Sequence, residues 1–572
     1  MTILDSRRLT GPGLMLDGPG AVLDVRLEDS DSERAIAAWQ GAARRLLVAV
    51  GWQDQHVAAR TFPGGASLAL TAPIDGLYAA TELNERAWGA ATAELRGEKA
   101  PDFQAAIASL LDEIATERNP ILAELWREAM SRGLTFLSGE DLVSVGSGAG
   151  ALIWQIGALP DLTQVDWASA YDIPTAMVTG SNGKTTVVRL LGAMVETAGR
   201  TPGITSTDGV AVGATLLEEG DFAGPSGARM VLRHVETQTA ILETARGGIL
   251  RRGLPADRAD VAVITNIADD HLGEFGVESL TDLADTKLVV AKALGRAGTL
   301  VLNADDPLLV ERSRAVPARL SWFSTNPASP VVAKHLESGG TAVVADTGMI
   351  VLVQGDRRTP LVSVVEVPIT YRGAAKHNVA NALAAAAAGN ALGMGAETLA
   401  SALRRFGHDL DDNPGRTNLI ERGGARILLD FAHNPHGMSA LVGVARTLPA
   451  ERRLILVGQA GDRNDEAIRA LARAAWELQP DHVVVKDMET YLRGRSPGEV
   501  PAILADEFSR LGLPNEAITQ GGPEIAAVRR ALEWARPGDL LVLAVHEDRR
   551  AVVELLDRLE AGGWRAGDPL PH

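Results

Sequence analysis

The segment 179–186, TGSNGKTT, constrains this chain more than any other. It stands between an apolar run at 174–179, which predicts a strand, and 185–198, which predicts a helix. On that helix Val187, Leu190, Leu191, Met194 and Val195 share one face, and Gly199 lies just past its end. A glycine-rich turn between strand and helix points backbone N–H groups at phosphate oxygens. Gly180, Ser181, Asn182 and Gly183 form that turn and Thr186 closes it. Lys184 offers positive charge for the terminal phosphates, and Thr185 offers a hydroxyl for Mg²⁺. The usual P-loop spacing puts a glycine where Val178 stands. The plainer explanation is an ordinary glycine turn with a surface lysine, and the strand–Gly-Lys-Thr–helix combination argues against it.

Length and patterning organise the rest. A chain of 572 residues predicts about three to four domains. Residues 1–167 mix short apolar runs (45–50, 66–70) with helical patterns (103–114, 121–130) and predict an α+β domain. Gly146, Gly148 and Gly150 form a glycine cluster that predicts a turn. From 168 to 413, β-branched runs at 239–243, 261–266 and 299–303 alternate with helical stretches, which predicts a sheet flanked by helices; with the 179–186 turn this makes a central P-loop domain. The Ala-rich stretch 380–388 predicts a helix. Residues 414–572 repeat the alternation, with strands at 427–430, 454–457, 482–486 and 540–544 and helices at 465–478 and 523–535. That predicts a smaller Rossmann-like domain, with 409–415 as the hinge. The fold class expected is therefore α/β.

Composition narrows the partners. A formal net charge of −18 disfavours nucleic acid and anionic membrane surfaces, which need a basic face. Without cysteine there is no disulfide, thiolate metal site or cysteine nucleophile. No apolar core of signal-peptide length and no run of about 18 apolar residues is present. A cytoplasmic protein acting on small molecules is expected. A homo-oligomer is an open option, since nothing in the sequence marks an interface.

Two more strand ends carry chemistry. Glu243 ends an apolar run, at the sheet edge where α/β folds bind ligands. It suits Mg²⁺ or substrate orientation; the alternative is an acid in solvent. Asp270 and His271 follow the run at 261–266 and offer oxygen and imidazole ligands.

In its ordered motifs the chain resembles the Mur ligase family, and within it the ligase module of cyanophycin synthetase. The resemblance covers about 169–572. It is carried by TGSNGKTT, with the same departure at Val178; by TSTDGV at 205–210, ETARGGILRRG at 243–253, 265–273 and LNADDP at 302–307; by HNVANA at 377–382 and Gly415-Arg416; and by DFAHNP at 430–435, GDR at 461–463 and LRGR at 492–495. It implies an ATP-dependent, ADP-forming ligase that joins a carboxylate to an amine through an acyl-phosphate. Lys184 and Thr185 would hold the ATP phosphates and Mg²⁺, with Glu243 and His271 at the metal sites. Lys287 resembles the family lysine that is carbamylated and binds a second Mg²⁺; its alternative is a helix-surface lysine. Asn378 and Asn381 would contact adenine, and Arg416 and Asp430 would reach the nucleotide from the C-terminal domain. Thr207 and Asp208 would lie near the acyl donor, with His433 lining the site. Arg493 and Arg495 could clamp a carboxylate, and Asp487 and Glu489 could recognise a cationic amino acid such as arginine; the alternative is a charged surface loop. The ATP-grasp module of cyanophycin synthetase has no counterpart motif here, which implies a single ligation. A non-catalytic ATP-binding scaffold and a P-loop phosphotransferase are the competing readings.

Overall fold

The computed structural model describes residues 1–27, 32–99, 101–269 and 272–571. Its architecture is mixed α/β, built on four sheets. The first, in the spatial order Thr2–Leu9, Gly20–Arg26, Gly65–Thr71, Val57–Phe62, is antiparallel. Helices Ser32–Ala49, Leu77–Arg96, Phe103–Glu117 and Pro120–Arg132 share one apolar core with it. Trp39 Nε1 donates to Asn84 Oδ1 (2.9 Å), and Asn84 donates on to Leu68 O (3.0 Å), so these two buried polar side chains are paired. A three-stranded antiparallel sheet, 136–155, follows.

The 45–50 run, read as separate from the helical patterns, lies within the helix Ser32–Ala49 and past its end. A short apolar run has no period long enough to separate strand from helix. The glycine cluster is the expected turn. Gly146 and Gly148 have φ of 74° and 56°, and a Cβ on Gly150 would sit 2.3 Å from Tyr171 O.

The largest sheet has eleven strands. In space they run Thr215–Glu219, Gly209–Val212, Pro202–Ser206, Thr239–Glu243, Thr175–Thr179, Ala259–Ile264, Leu294–Asn303, Arg319–Ser324, Thr341–Asp346, Met349–Gln354, Arg357–Ser363. The seven strands from Pro202–Ser206 to Thr341–Asp346 are parallel; antiparallel hairpins extend both edges. Every residue of Thr175–Thr179 is buried, as expected for a strand covered on both faces. On one face the helix Lys184–Thr197 packs against the Ala-rich helix Lys376–Ala391. Residues 225–233, 280–288 and 330–337 supply helices on the other. After Thr175–Thr179 the chain runs outward on one side, returns to place Thr239–Glu243 beside it, and then continues on the other side. The loops at the carboxyl ends diverge there and leave a crevice.

The last sheet orders Asn418–Arg422, Ala425–Asp430, Leu540–Ala544, Arg453–Val457, His482–Lys486, Ile518–Gly522. All but the first are parallel, with apolar cores on both faces. Among the described residues no helix is long and apolar enough to cross a membrane.

Candidate functional site

The turn 180–183 is built for close approach. Gly180 has φ 146°, and a Cβ there would lie 1.8 Å from Thr265 Oγ1; Gly183 has φ 84°, and its Cβ would lie 2.2 Å from Asn381 Oδ1. Only glycine fits either place. The neighbouring strand end holds the turn from below. Ser181 N donates to Asn266 O (2.9 Å), Asn182 N to Asn266 Oδ1 (3.0 Å), and Thr265 Oγ1 to Asn182 O (2.6 Å). Lys184 opens the helix, and its Nζ reaches back to Ser181 O at 3.1 Å.

Glu243 is 1% exposed at the end of its strand. Its Oε2 accepts from Thr185 Oγ1 at 2.9 Å. Its Oε1 is buried without a hydrogen-bond partner among the described residues. Burial pushes its carboxyl up, while Lys184, Thr185 and Arg416 pull it the other way. A buried carboxylate oxygen without a donor beside a threonine hydroxyl suits a hard cation carrying phosphate. Glu243 is thus not the solvent-facing acid of the alternative.

Arg416, just before the last sheet, arrives from the opposite wall. Its Nη2 donates to Thr207 Oγ1 (3.1 Å) and Thr185 Oγ1 (3.4 Å), and its guanidinium lies 4.3 Å over the Phe431 ring. Nη1 is buried and lacks a partner among the described residues. Asp430 accepts from Thr417 N (2.6 Å) and Thr417 Oγ1 (2.9 Å); burial pushes its carboxyl up against the pull of Arg416. Together these residues line a cavity of about 850 Å³, with Asn378, Asn381, His377 and His433 on its wall. Asn378 donates to Ile369 O (2.9 Å) and accepts from Asn381 (3.0 Å), so the pair is fixed before any ligand arrives. His433 stands 5.4 Å from Phe431, ring to ring.

Other predicted residues fall elsewhere. Asp208 lies beside the site in an ion-pair cluster, with Arg189 Nη2 at 2.9 Å and Arg549 Nη1 at 2.6 Å. Burial opposes its ionisation, but Arg416, Arg189 and Arg549 outweigh burial and hold the carboxyl down. Lys287 is 2% exposed on the helix Leu280–Leu288, which excludes a helix-surface lysine. Asp270 and His271 lie outside the described residues. Arg493 and Arg495 are not on the cavity wall. Arg493 is exposed and meets Asp462 at 2.6 Å. Arg495 braces its own loop, donating to Gly461 O (3.0 Å), Arg463 O (2.8 Å) and Asp465 (2.8 Å) and pairing with Glu499 at 2.6 Å.

Other contacts here were not foreseen from the sequence. Thr417 has φ 58°, unusual for a β-branched residue, and its hydroxyl lies 3.3 Å from His377 Nε2. Burial, followed by His436, pushes the His377 imidazole down to about 4. Asn182 donates to His436 Nδ1 and accepts from Asn434 Nδ2, both at 3.0 Å, tying the turn to the loop after Asp430. Asn413 Nδ2 reaches Thr186 Oγ1 at 3.3 Å.

Comparison with known proteins fits this geometry. Residues 178–389 match the family model "Mur ligase middle domain", and 415–545 match "Mur ligase, glutamate ligase domain". The chain is 36% identical over 380 residues to a cyanophycin synthetase of Trichormus variabilis, covering 66% of this chain and 42% of that protein. It therefore spans less than half the length of that relative. It is 30% identical over 375 residues to a UDP-N-acetylmuramoylalanine–D-glutamate ligase of Pelotomaculum thermopropionicum, covering 65% of this chain and 70% of that one. Its fold is similar to that of E. coli FolC in complex with ADP (TM-score 0.51, 19% identity, covering 68% of this chain and 90% of the other).

Proposed function

The chain belongs to the Mur ligase family, a family of ATP-dependent amide-bond-forming ligases, and on that premise we propose that it joins a carboxylate to an amine through an acyl-phosphate at the Thr185–Glu243–Arg416 cavity. The convergence of Lys184, Thr185 and Glu243 with Arg416 carries this reading. A lone phosphate turn would need no second wall. A ligase does, because the carboxylate must meet the γ-phosphate and the amine must then reach the acyl-phosphate it forms.

The proposed arrangement has an N-terminal α+β domain at 1–167, a central P-loop domain at 168–413 and a Rossmann-like domain at 414–572. The turn from Gly180 to Thr186 would cradle the ATP phosphates, Asn378 and Asn381 would meet adenine, and Asp430 the ribose. Thr185 and Glu243 would hold Mg²⁺, with His271 and a carbamylated Lys287 completing the metal sites. Mg²⁺ there would neutralise phosphate charge. The residues fit: Glu243 Oε1 and Arg416 Nη1 are buried polar atoms without hydrogen-bond partners among the described residues, on residues that line the same cavity.

In the first step a carboxylate oxygen attacks the γ-phosphorus, the bond to the β-phosphate oxygen breaks, and ADP leaves. Phosphoryl transfer of this kind needs positioning and charge neutralisation rather than a protein nucleophile. Lys184 and Arg416 supply the charge. In the second step the amine attacks the acyl carbon, the carbon–oxygen bond to phosphate breaks, and phosphate leaves with the proton the nitrogen gives up. Thr207 and His433 border the reacting groups. Arg493 would take the carboxylate of an amino-acid acceptor, arginine among the candidates, with Asp487 and Glu489 nearby; Arg495 holds that loop in place.

Lys184→Ala tests the reading. Phosphate release should require ATP, Mg²⁺, a carboxylate and an amine together, and the variant should lose it by at least about 10²-fold while its circular dichroism stays unchanged. Turnover that persists in Lys184→Ala sinks the assignment.

A further inference from the structure

A buried charged network sits behind the cavity, and the reaction above leaves it without a task. Lys486 ends the strand His482–Lys486 and is fully buried, as is the side chain of Glu524, the first residue of the helix Glu524–Trp534. The two form an ion pair. Lys486 Nζ also donates to His546 Nδ1 at 3.0 Å. Room for the lysine stem is cut by Gly458, where a Cβ would lie 2.7 Å from Lys486 Cγ.

One end of this network leads to the cavity and the other to the 487–495 loop. Glu524 Oε2 accepts from His546 N (2.7 Å), and its Oε1 accepts from Glu547 N (2.9 Å) and Asp548 N (2.6 Å), so one carboxylate fixes the whole 546–548 turn. On one side, Lys486 occupies His546 Nδ1, so Nε2 carries the hydrogen and donates to Ala432 O at 3.2 Å. The imidazole meets the Phe431 ring edge-on at 5.1 Å. Phe431 is the shelf beneath Arg416, which touches Thr185 and Thr207. On the other side, Glu547 accepts from Glu489 N (3.0 Å), Thr490 N (2.7 Å) and the Thr490 hydroxyl, setting the turn that leads to Arg493. Tyr491 O in turn accepts from Gly461 N (2.8 Å).

A buried ion pair is a weak source of stability, since desolvation cancels most of its attraction; its best-attested use is to fix one arrangement. We propose that Lys486, Glu524 and His546 are positioning residues that couple the Phe431–Arg416 wall of the nucleotide cavity to the 487–495 loop, so that nucleotide binding orders the loop. This rests on the reading that the cavity binds nucleotide and the loop faces the amine.

Hydrogen exchange followed by mass spectrometry, on the full chain with and without Mg·ADP, tests it. Mg·ADP should slow exchange at 180–186 and also, by at least about fivefold, at 487–495. In His546→Phe, protection at 180–186 should persist while that at 487–495 is lost. His546→Gln, whose amide can still donate to Ala432 O, should restore part of it. Binding of Mg·ADP with unchanged exchange at 487–495 in the parent protein overturns the coupling alone. Equal protection of that loop in parent and His546→Phe does so too. Failure of Mg·ADP to bind overturns the coupling together with the nucleotide reading.

Discussion

At the scale of single residues, the site rests on positions where one side chain only is tolerated. Gly183 combines a φ of 84° with a Cβ position 2.2 Å from Asn381 Oδ1. Gly183→Ala should therefore weaken Mg·ADP binding by at least about tenfold, because both left-handed strain and displacement of Asn381 oppose it; calorimetric titration would check this, and unchanged affinity would refute the cradle. Lys184, Thr185 and Glu243 were legible in the sequence, since a strand, a Gly-Lys-Thr turn and a strand-end acid each have a local signature. Thr417 was not, and Phe431, though inside DFAHNP, had no role assigned. Their importance comes from a backbone conformation and a stacking partner that only tertiary structure supplies. Arg495 was read as half of a carboxylate clamp and not as a brace, because its partners at 461, 463 and 465 lie some thirty residues upstream.

At the scale of elements, the helix Lys376–Ala391 explains how a chain with few aromatics closes its largest core. Ala384 to Ala388 are all fully buried, and the helix packs on Lys184–Thr197, which begins directly after the phosphate turn. Small side chains let the two helices approach closely. A larger one has nowhere to go, so Ala385→Leu should destabilise the protein by roughly 1–3 kcal/mol, read as a lower urea midpoint at unchanged slope. Removing bulk from the partner helix should cost more: Leu191→Ala leaves a cavity and should lose about 2–5 kcal/mol. Elements flanked by turn residues, such as Thr239–Glu243, His482–Lys486 and Leu540–Ala544, were readable to the residue. The hairpins at both edges of the large sheet went unread: Thr215–Glu219 is mostly exposed and lacks a continuous apolar run, whereas Met349–Gln354 carries one that was missed.

At the scale of the whole molecule, the cavity exists because two sheets face each other across it, and polar contacts hold them in register. Arg549 on the last helix reaches Asp208 beside the large sheet at 2.6 Å, with both side chains mostly buried, and Asn182 bridges to His436 and Asn434. Arg549→Met should loosen that register and raise the KM for ATP by up to about tenfold, with kcat less affected; Arg549→Lys should recover part of it. An unchanged KM would show that the pair is incidental. What the assembled cavity does with ATP can be measured directly, whichever amine is the natural acceptor, because hydroxylamine traps an acyl-phosphate. Incubating the protein with ATP, Mg²⁺, hydroxylamine and a panel of carboxylates should yield a hydroxamate from at least one of them, in equal amount to the ADP formed, and none with Lys184→Ala. Formation of AMP and pyrophosphate, or of a stable phosphorylated product in place of the hydroxamate, would contradict the account.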